Sequence, residues 1–503
     1  MSTAANAGFS LMANLPALQV VVPMVAAPIC TFLRFRNGPW AFALLVSAAT
    51  FWISANLLMQ VLGGGVISYE MGGWAPPFGI EYRVDTINAF VLLIVSGISL
   101  IALPYALRSV EREVPRDKHH LFYAAWLLCL CGMLGITITG DAFNIFVFLE
   151  ISSLSTYMLL ASGRDPRALT AAFQYLVLGT LGATFILIGV GLLYIMTGTL
   201  NIVDLAERLG PVSDTTSVRA AAAFLTVGIA LKFALFPAHF WLPNGYAYSP
   251  SAVGVFLSAT ATKVSIYVLL RFQFTVFGDI PAFAELDFAT LLLPFAVVAF
   301  LVGSTVAIFQ TDLKRLLAWS SIAQIGYMVA GIGLGGVDGL TAGIVHLFNH
   351  AITKAALFMA AGAIFLRVGS MHIDRLAGIG KTMPFTTLAF VLSGLSLIGV
   401  PTTVGFISKW YLILAALQHG ATGYAIAALV LASSLLAVIY VWRVVEVAYF
   451  REPAANHAVT EAPLSMLLPL WALTIGCFYF GLETGYSVDI ARAAAQSLLG
   501  VTP

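Results

Sequence analysis

The sequence is dominated by apolar runs of about 18 residues or more, the length that a helix needs to cross a bilayer, and they recur along the whole chain. Only 9% of the 503 residues are charged, which is too few to cover the surface of a soluble domain. Soluble enzymes, nucleic-acid-binding proteins and disordered scaffolds are therefore excluded. The formal net charge of +1 indicates neither a phosphate-rich nor an acidic partner.

These runs predict an all-α polytopic membrane protein, a single membrane domain over residues 1–503 with about 14 transmembrane helices. The first run lacks a basic segment before it and is too long for a cleaved signal peptide. The four cysteines lie in apolar stretches without a C-x-x-C pair, so we expect neither a disulfide framework nor a metal site. Spans 1 to 14 are predicted at 9–33, 40–62, 86–107, 121–140, 142–161, 168–197, 218–240, 248–276, 289–310, 316–334, 340–366, 385–416, 421–443 and 464–483.

The distribution of lysine and arginine predicts the orientation of the chain. Loops after odd-numbered spans carry fifteen of these residues, among them Lys314, whereas the other loops carry five, among them Arg271. Because basic loops stay on the cytoplasmic side, we expect the odd-numbered loops there, and both termini on the outer side, of a bacterial cytoplasmic (inner) membrane. The side that holds the odd-numbered loops is called the basic side below.

Once the residues counted with the loops are set aside, five charged residues remain, namely Glu150, Lys232, Lys263, Lys354 and Lys409. A lysine at the centre of a membrane helix costs roughly 2.5–3.5 kcal/mol, so each should face protein or water. Snorkelling is the ordinary explanation for a lysine near a span end, but Lys232 follows a long, mostly apolar stretch. Since an unpaired carboxylate is unfavourable here, we predict that Glu150 forms an ion pair with Lys232.

Span 11 places His346, His350 and Lys354 at i, i+4 and i+8, on one helical stripe. Imidazole titrates near neutral pH, and this stripe therefore predicts a proton relay. Histidines that merely satisfy a packed core are one alternative, and a metal site is another, although no carboxylate or cysteine stands nearby in the sequence to complete it. For Lys263, which follows the small polar run 258–262, the alternative is a structural tie to a neighbouring carbonyl.

Spans 7 and 12 each contain a break beside a buried charge. Pro237 and Pro243 follow Lys232, and the Gly-Val-Pro segment 399–401 precedes Lys409. Two such breaks are typical of inverted-repeat transporters, so we predict discontinuous helices 7 and 12 in two inverted five-helix repeats that pair Lys232 with Lys409. The predicted units are peripheral helices 1–3 (1–120), repeat one with helices 4–8 (121–276), repeat two with helices 9–13 (289–450) and helix 14 (464–483).

Together these residues resemble the antiporter-like subunit family, which includes the proton-pumping membrane subunits of complex I and the large subunits of Mrp-type cation/proton antiporters. The resemblance covers spans 4 to 13. It implies that Glu150 modulates the charge of Lys232, a protonatable switch, that Lys263, His346, His350 and Lys354 carry protons along the membrane mid-plane through bound water, and that Lys409 connects this axis to one side. The matching segments are Glu150, Lys232, Lys263, Phe-Pro-Ala-His-Phe-Trp-Leu-Pro (236–243), His-Leu-Phe-Asn-His-Ala-Ile-Thr-Lys (346–354) and Gly-Phe-Ile-Ser-Lys (405–409).

Within the family, the segments 69–80 and 84–89 look most like the D-type subunits of Mrp antiporters. Lys409 departs from the glutamate of a close complex I relative, and the twenty residues after 483 resemble the shorter members. The resemblance implies a secondary transporter, a proton-translocating subunit of a hetero-oligomeric Na+(K+)/H+ antiporter, in which inward proton flow drives sodium outward. The alternative is a membrane subunit of complex I, and so part of an NADH:quinone oxidoreductase, or of a membrane-bound hydrogenase. We expect no cofactor, because the chain has no nucleotide-binding loop and no haem or iron–sulfur ligand set.

Two outer features complete the predictions. The stretch 63–85 is the longest gap between spans, and we expect it to form a docking surface. Asp141, just before span 5, is interpreted as a helix cap, with a ligand at the mouth of an ion path as the alternative.

Overall fold

The computed structural model describes residues 11–278, 288–452 and 459–501. The predicted start of span 1 at residue 9 and both chain termini lie outside the described residues. Within them the chain forms nineteen α-helices and one two-stranded hairpin. The first ten helices are α1 Leu15–Phe32, α2 Gly38–Gly64, α3 Thr86–Glu113, α4 His119–Ile138, α5 Ala142–Ala161, α6 Arg167–Thr197, α7 Ile202–Leu209, α8 Thr216–Lys232, α9 Trp241–Tyr248 and α10 Ser251–Leu270.

A π-helical turn, Arg271–Val276, extends α10. The remaining helices are α11 Phe288–Ile308, α12 Leu313–Leu334, α13 Gly336–Val368, α14 Ile379–Thr382, α15 Pro384–Ile398, α16 Val404–Leu417, α17 Gly420–Phe450, α18 Leu464–Leu482 and α19 Gly485–Leu498.

The predicted helical membrane fold is confirmed. Twelve helical stretches within the described residues are long and apolar enough to cross a membrane. Spans 7 and 12 complete the predicted fourteen, because α8 and α9 together make span 7 and α15 and α16 together make span 12. Span 7 ends at Tyr248 and not at the predicted residue 240. The helices are therefore discontinuous where the prolines and glycines predicted breaks. The relation between the two sets of five helices as inverted repeats stays a prediction.

The helices that carry the buried lysines are consecutive neighbours. Helix α8 packs against α10, α10 packs against α13, and α13 packs against α16. Helices α10 and α12 are buried over nearly their whole length, whereas α6 and α17 expose much of their apolar surface. The lysines are thus carried by a row of adjoining helices whose centre is shielded by the rest of the protein.

The 63–85 segment has secondary structure of its own. Strands β1 Ile67–Glu70 and β2 Glu81–Val84 pair antiparallel, with Ile67 opposite Val84. Between the strands, Trp74 and Phe78 are 70% and 93% exposed. The predicted docking role of this segment stays a prediction.

Two residues that the basic-residue distribution placed in loops are instead buried. Lys314 lies in the first turn of α12, and its side chain is 4% exposed. Arg271 begins the π-helical turn, and its Nη2 lies 2.5 Å from Oδ1 of Asp85, 186 positions earlier in the chain. The loop assignment was wrong for both, because Arg271 pairs with Asp85 and Lys314 pairs with Glu113, each far away in the sequence.

Candidate functional site

Lys232 is the last residue of α8, and it meets Glu150 of α5. The distance from Lys232 Nζ to Glu150 Oε1 is 3.7 Å, and Nζ donates a 2.8 Å hydrogen bond to Oγ of Ser153, one turn beyond Glu150. The Lys232 side chain is 3% exposed, whereas that of Glu150 is 28% exposed. The predicted ion pair is therefore present, with a serine hydroxyl beside it.

The break in span 7 begins directly after Lys232. Ala234 adopts a φ of +60°, and α9 starts at Trp241. The indole Nε1 of Trp241 donates to the carbonyl of Leu231 at 3.0 Å, so a carbonyl released by the break regains a partner. A side chain that follows the break is consequently hydrogen bonded to the last turn of the helix that precedes it.

Helices α6 and α8 approach closely just before Lys232. A Cβ added to Gly228 would lie 2.7 Å from the carbonyl oxygen of Gly182, and one added to Gly182 would lie 3.0 Å from that of Gly228. Only glycine allows the two backbones to approach this far. We call this crossing the glycine contact.

Lys263 is fully buried in α10. Its ammonium group donates to the carbonyl of Ser258 and, at 3.4 Å, to Oγ1 of Thr262. Both acceptors belong to the small polar run 258–262. The structural tie considered from the sequence is thus present, and proton transfer through Lys263 stays a prediction.

The histidine stripe of α13 faces the interior. Nδ1 of His346 is hydrogen bonded to Oγ of Ser408 in α16 at 2.7 Å, and the rings of His346 and His350 are parallel with centroids 6.0 Å apart. Lys354 Nζ donates to the Leu317 carbonyl at 2.8 Å and to Ser320 Oγ at 2.5 Å, both in α12. The predicted common face of the three residues is confirmed.

Three ring nitrogens of this stripe have no protein hydrogen-bond partner among the described residues: Nε2 of His346 and both nitrogens of His350. A cavity of about 10 Å³ lies beside them, also bounded by Asn349, Ser396 and Gly405. That volume accommodates about one water molecule. The cavity extends from the histidines to the break in span 12, so it joins two parts of the site.

Lys409 lies in α16, just after that break. Its Nζ donates to the carbonyls of Leu397 and Ile398, at 3.2 and 2.7 Å, and to Ser434 Oγ at 3.0 Å. The two carbonyls are the last of α15, where the helix dipole and unpaired acceptors favour a cation. The Tyr327 ring centroid is 5.0 Å from Nζ.

The buried lysines differ in their counterions. Among the described residues, no carboxylate oxygen lies within 4.0 Å of Nζ of Lys263, Lys354 or Lys409. Their ammonium groups rely on carbonyls and hydroxyls. The described residues also contain no group of three or more histidine, cysteine or acidic residues placed to hold a metal.

Several partners of the site were not found from the sequence. Ser153 and Ser320 carry no charge, so neither was predicted to hydrogen bond to a buried lysine. Ser408 stands in the segment 405–409 that contributes to the resemblance, but no role was predicted for it, and Ser434 carried no signal. Asp141 accepts a 2.7 Å hydrogen bond from the Asn144 amide, which confirms the helix cap.

Comparisons with known proteins agree with this geometry. The family model described as NADH:quinone oxidoreductase/Mrp antiporter, TM, matches residues 139–437. The chain is 39% identical to the N subunit of the NADH-quinone oxidoreductase of Desulforudis audaxviator, over 94% of this chain and 96% of that protein. It is 32% identical to the D subunit of the Na(+)/H(+) antiporter of Alkalihalophilus pseudofirmus, over 92% of this chain and 93% of that protein.

A solved structure shares the fold. A chain of the Mrp complex from Dietzia sp. DQ12-45-1b superposes with a TM-score of 0.89 at 27% identity, over 98% of both chains. The matched family segment contains every charged and histidine residue of the site, from Glu150 to Lys409. The chain therefore belongs to the NADH:quinone oxidoreductase/Mrp antiporter transmembrane family, as the pattern of its buried charges predicted.

Proposed function

We propose that this chain is the proton-translocating subunit of a multisubunit Na+(K+)/H+ antiporter of the Mrp type. Its partners are the other membrane subunits of that assembly, the bilayer, and H+ and Na+ or K+ as transported ions. The names of the antiporter relative and of the Mrp complex support this assignment. The observation that carries it is the row of buried lysines and histidines on adjoining helices, running from Lys232 to Lys409.

The proposed path follows that row. Protons pass between Lys232, Lys263, Lys354, His350, His346 and Lys409, with hydroxyl groups and water between them. An ammonium group in a low-dielectric interior is only partly compensated by carbonyls and hydroxyls, so it can release its proton to an adjacent acceptor. The unpartnered ring nitrogens and the cavity beside them support a water-bridged step between the histidine stripe and Lys409.

Glu150 acts as the switch on this path. At 3.7 Å and an effective dielectric constant of about 20, its charge stabilises the Lys232 ammonium by about 4 kcal/mol. Moving the carboxylate away removes that stabilisation and favours proton release toward Lys263. Because Glu150 is the partly exposed member of the pair, its side chain is the one that is free to move.

Lys409 is the proposed connection between the central axis and one face of the membrane. The basic side is cytoplasmic, and both termini face outward, in a bacterial cytoplasmic membrane. A potential of 100 mV supplies about 2.3 kcal/mol for each charge that crosses, which biases the exchange about fiftyfold. Inward proton flow then drives sodium or potassium outward.

The second candidate function is proton pumping as a membrane subunit of complex I or of a membrane-bound hydrogenase. The 39% identity to the N subunit of an NADH-quinone oxidoreductase favours it. The proton path would be the same in this case. The energy would come from electron transfer in other subunits, since this chain carries no redox motif.

The test uses the native assembly that contains this chain, reconstituted into vesicles with an imposed pH gradient. Sodium is added without an electron donor, and a fluorescent dye reports the gradient. We expect sodium to collapse the pH gradient in vesicles that hold the wild-type assembly. In vesicles that hold the Lys232→Ala assembly, the gradient should persist. A response that requires a redox donor and quinone would assign the chain to the second candidate function.

A further inference from the structure

A cavity of about 570 Å³ opens on the basic side, where α3 and α9 end and α12 begins. It is called the vestibule below. Its wall contains Glu113, the last residue of α3, and Lys314, in the first turn of α12. The proposed function uses neither residue, yet they form a second carboxylate–lysine pair inside this membrane protein.

The pair has the same elements as the one at Glu150. Lys314 Nζ lies 3.8 Å from Glu113 Oε2, and the two side chains are 4% and 11% exposed. Lys314 also donates to the Ser249 carbonyl at 3.4 Å, just before α10 begins. The carboxylate is therefore largely shielded but still borders the vestibule.

Glu113 also has contacts that a purely structural role would explain. Its Oε2 accepts from the Ser251 amide at 3.0 Å, and its Oε1 accepts from Ser109 Oγ at 2.7 Å. Ser251 is the first residue of α10, so the carboxylate caps that helix. The oxygen of a glutamine could still accept from the Ser251 amide, and its NH2 group could donate to Ser109 Oγ, so both contacts could be kept. A glutamine could not take up a proton, and this difference separates the two roles.

Two buried hydroxyl groups continue inward from this carboxylate. Tyr105, two turns before Glu113 on α3, and Ser251 have hydroxyls with no hydrogen-bond partner among the described residues. Both adjoin Gly362 of α13, where an added Cβ would clash with the Tyr105 hydroxyl and lie 2.9 Å from Ser251 Oγ. Glycine at this position therefore makes room for the Tyr105 hydroxyl beside Ser251.

The hydroxyls of Ser251 and Tyr105 lie between the vestibule and the buried lysines of the proposed path. Ser251 is about 10 Å along α10 from Ser258, whose carbonyl accepts from Lys263, and Gly362 is about 12 Å along α13 from Lys354. A Cβ added to Gly254, midway along that stretch of α10, would lie 3.5 Å from the ring of Phe358. An aromatic side chain thus occupies the interval, and water must replace it for a proton to pass.

We propose that Glu113 takes up protons from the vestibule and that the hydroxyls of Ser251 and Tyr105 pass them inward to Lys263 and Lys354. The inference rests on the proposed function. In each step a carboxylate or hydroxyl oxygen accepts one proton and a proton leaves from the same group to the next acceptor, so no other reactant is needed. Lys314 balances the charge of Glu113 between transfers.

The other two carboxylates of the vestibule, Asp165 and Asp312, have different partners from Glu113. The guanidinium of Arg167 lowers the pKa of Asp165 through their hydrogen bonds, so Asp165 stays ionised at the mouth of the vestibule. Burial raises the pKa of Asp312, although its carboxylate caps α12 by accepting from the Arg315 amide. The titratable and charged groups that share the vestibule with the Glu113–Lys314 pair are Arg112, Arg164, Asp165, Arg167, Tyr248, Asp312 and His372.

The test measures antiport by the reconstituted native assembly while the pH on each face of the vesicle is set separately. Glu113→Gln, Tyr105→Phe and Gly362→Ala are compared with Lys232→Ala. Glu111→Gln, on the same helix, is the matched carboxylate control, and Gly191→Ala, where an added Cβ meets nothing within 4 Å, is the matched glycine control. Thermal stability of each assembly is measured in parallel.

We expect Glu113→Gln to lower the rate by at least about tenfold and to flatten its dependence on pH at the vestibule face only. Tyr105→Phe, which keeps the ring, should lower the rate about threefold to tenfold even if Gly362→Ala fails to assemble. Both controls should match the wild type.

The other outcomes overturn the inference in distinguishable ways. If Lys232→Ala abolishes antiport while Glu113→Gln and Tyr105→Phe keep the wild-type rate and pH profile, proton uptake at the vestibule is wrong and the proposed function survives. If Glu113→Gln lowers the rate equally at every pH on both faces and also lowers thermal stability, the carboxylate is only a helix cap. Normal antiport in Lys232→Ala would instead remove the proposed function itself.

Discussion

The two broken helices hold their lysines by different means. Lys232 precedes its break and meets a carboxylate and a hydroxyl, Glu150 and Ser153. Lys409 follows its break and meets two backbone carbonyls at the end of α15 together with the hydroxyl of Ser434. One cation is therefore balanced by a side-chain charge and the other by the dipoles of a helix end.

This difference separates a variable site from a constant one. A carboxylate on a side chain can approach or leave an ammonium group without any change in the backbone. Carbonyls at the end of a helix can do so only if the helix moves. The electrostatic field at Lys232 is thus adjustable, because a side chain produces it. The electrostatic field at Lys409 is fixed, because the backbone of α15 produces it. In the proposed mechanism, switching accordingly belongs to the first break, and the second break provides a fixed acceptor.

The largest expected effect comes from removing the first lysine. Lys232→Ala should lower antiport by the assembled complex by at least about a hundredfold, because the adjustable field then has no proton carrier to act on. The measurement is dye-reported sodium/proton exchange in vesicles. Lys381→Ala, which changes an exposed lysine, is the control. Near-normal exchange in correctly assembled Lys232→Ala would contradict the relay.

Removing the charge of the switch should have the next largest effect. Glu150→Gln leaves Lys232 with a hydroxyl and an amide oxygen, which makes the first site resemble the second. We expect the exchange rate to fall about tenfold or more while thermal stability changes little, since Glu150 is partly exposed. Glu207→Gln, at an exposed position of α7, provides the comparison. An unchanged rate would mean that the carboxylate is not the variable element.

Two substitutions at Lys409 sharpen the comparison further. Lys409→Ala leaves the carbonyls of Leu397 and Ile398 without a donor and should lower the rate about tenfold. Lys409→Glu can place a protonated carboxyl against the same carbonyls and should keep part of the activity. Rates are compared at matched levels of assembly. Equal rates for both variants would show that this position does not transfer protons.

The smallest effects concern the serines. Ser153→Ala removes the only hydrogen bond between Lys232 and a neighbouring helix among the described residues, and we expect a fall in rate of about threefold to tenfold. Ser434→Ala leaves Lys409 with two backbone acceptors, so about twofold is expected. The two rates are measured side by side in one preparation. A larger loss for Ser434→Ala would reverse the contrast between the two breaks.

The sequence was most informative where a charge interrupts an apolar run. Glu150, Lys232 and the stripe from His346 to Lys354 stand out because few ionisable residues occur inside membrane helices at all. The breaks were predictable for a similar reason, since proline and glycine beside a buried charge leave backbone groups that need partners. Those signals are local, and a single sequence displays them.

Partners that meet across long separations were not predictable. Glu113 and Lys314 lie at span ends, where charged residues are ordinary, and nothing local indicates that they meet. Asp85 and Arg271 are 186 positions apart. The carbonyls that hold Lys409 carry no side-chain signal, because any residue type supplies them. Such contacts are decided by how the helices pack, and α19, a short amphipathic helix after the last span, was likewise not predicted.

The glycine contact between α6 and α8 limits what a transport cycle can do at this point. With two backbones touching at Gly182 and Gly228, α8 cannot slide or roll along α6 without losing that packing. The backbone at Lys232 is consequently fixed relative to α6, so the distance between its ammonium group and the Glu150 carboxylate changes through rotation of side chains or through movement of α5. A proton that must travel farther than the side chains reach needs a bridging water molecule or a movement of α5. A rocking motion that separates α6 from α8 would break the glycine contact.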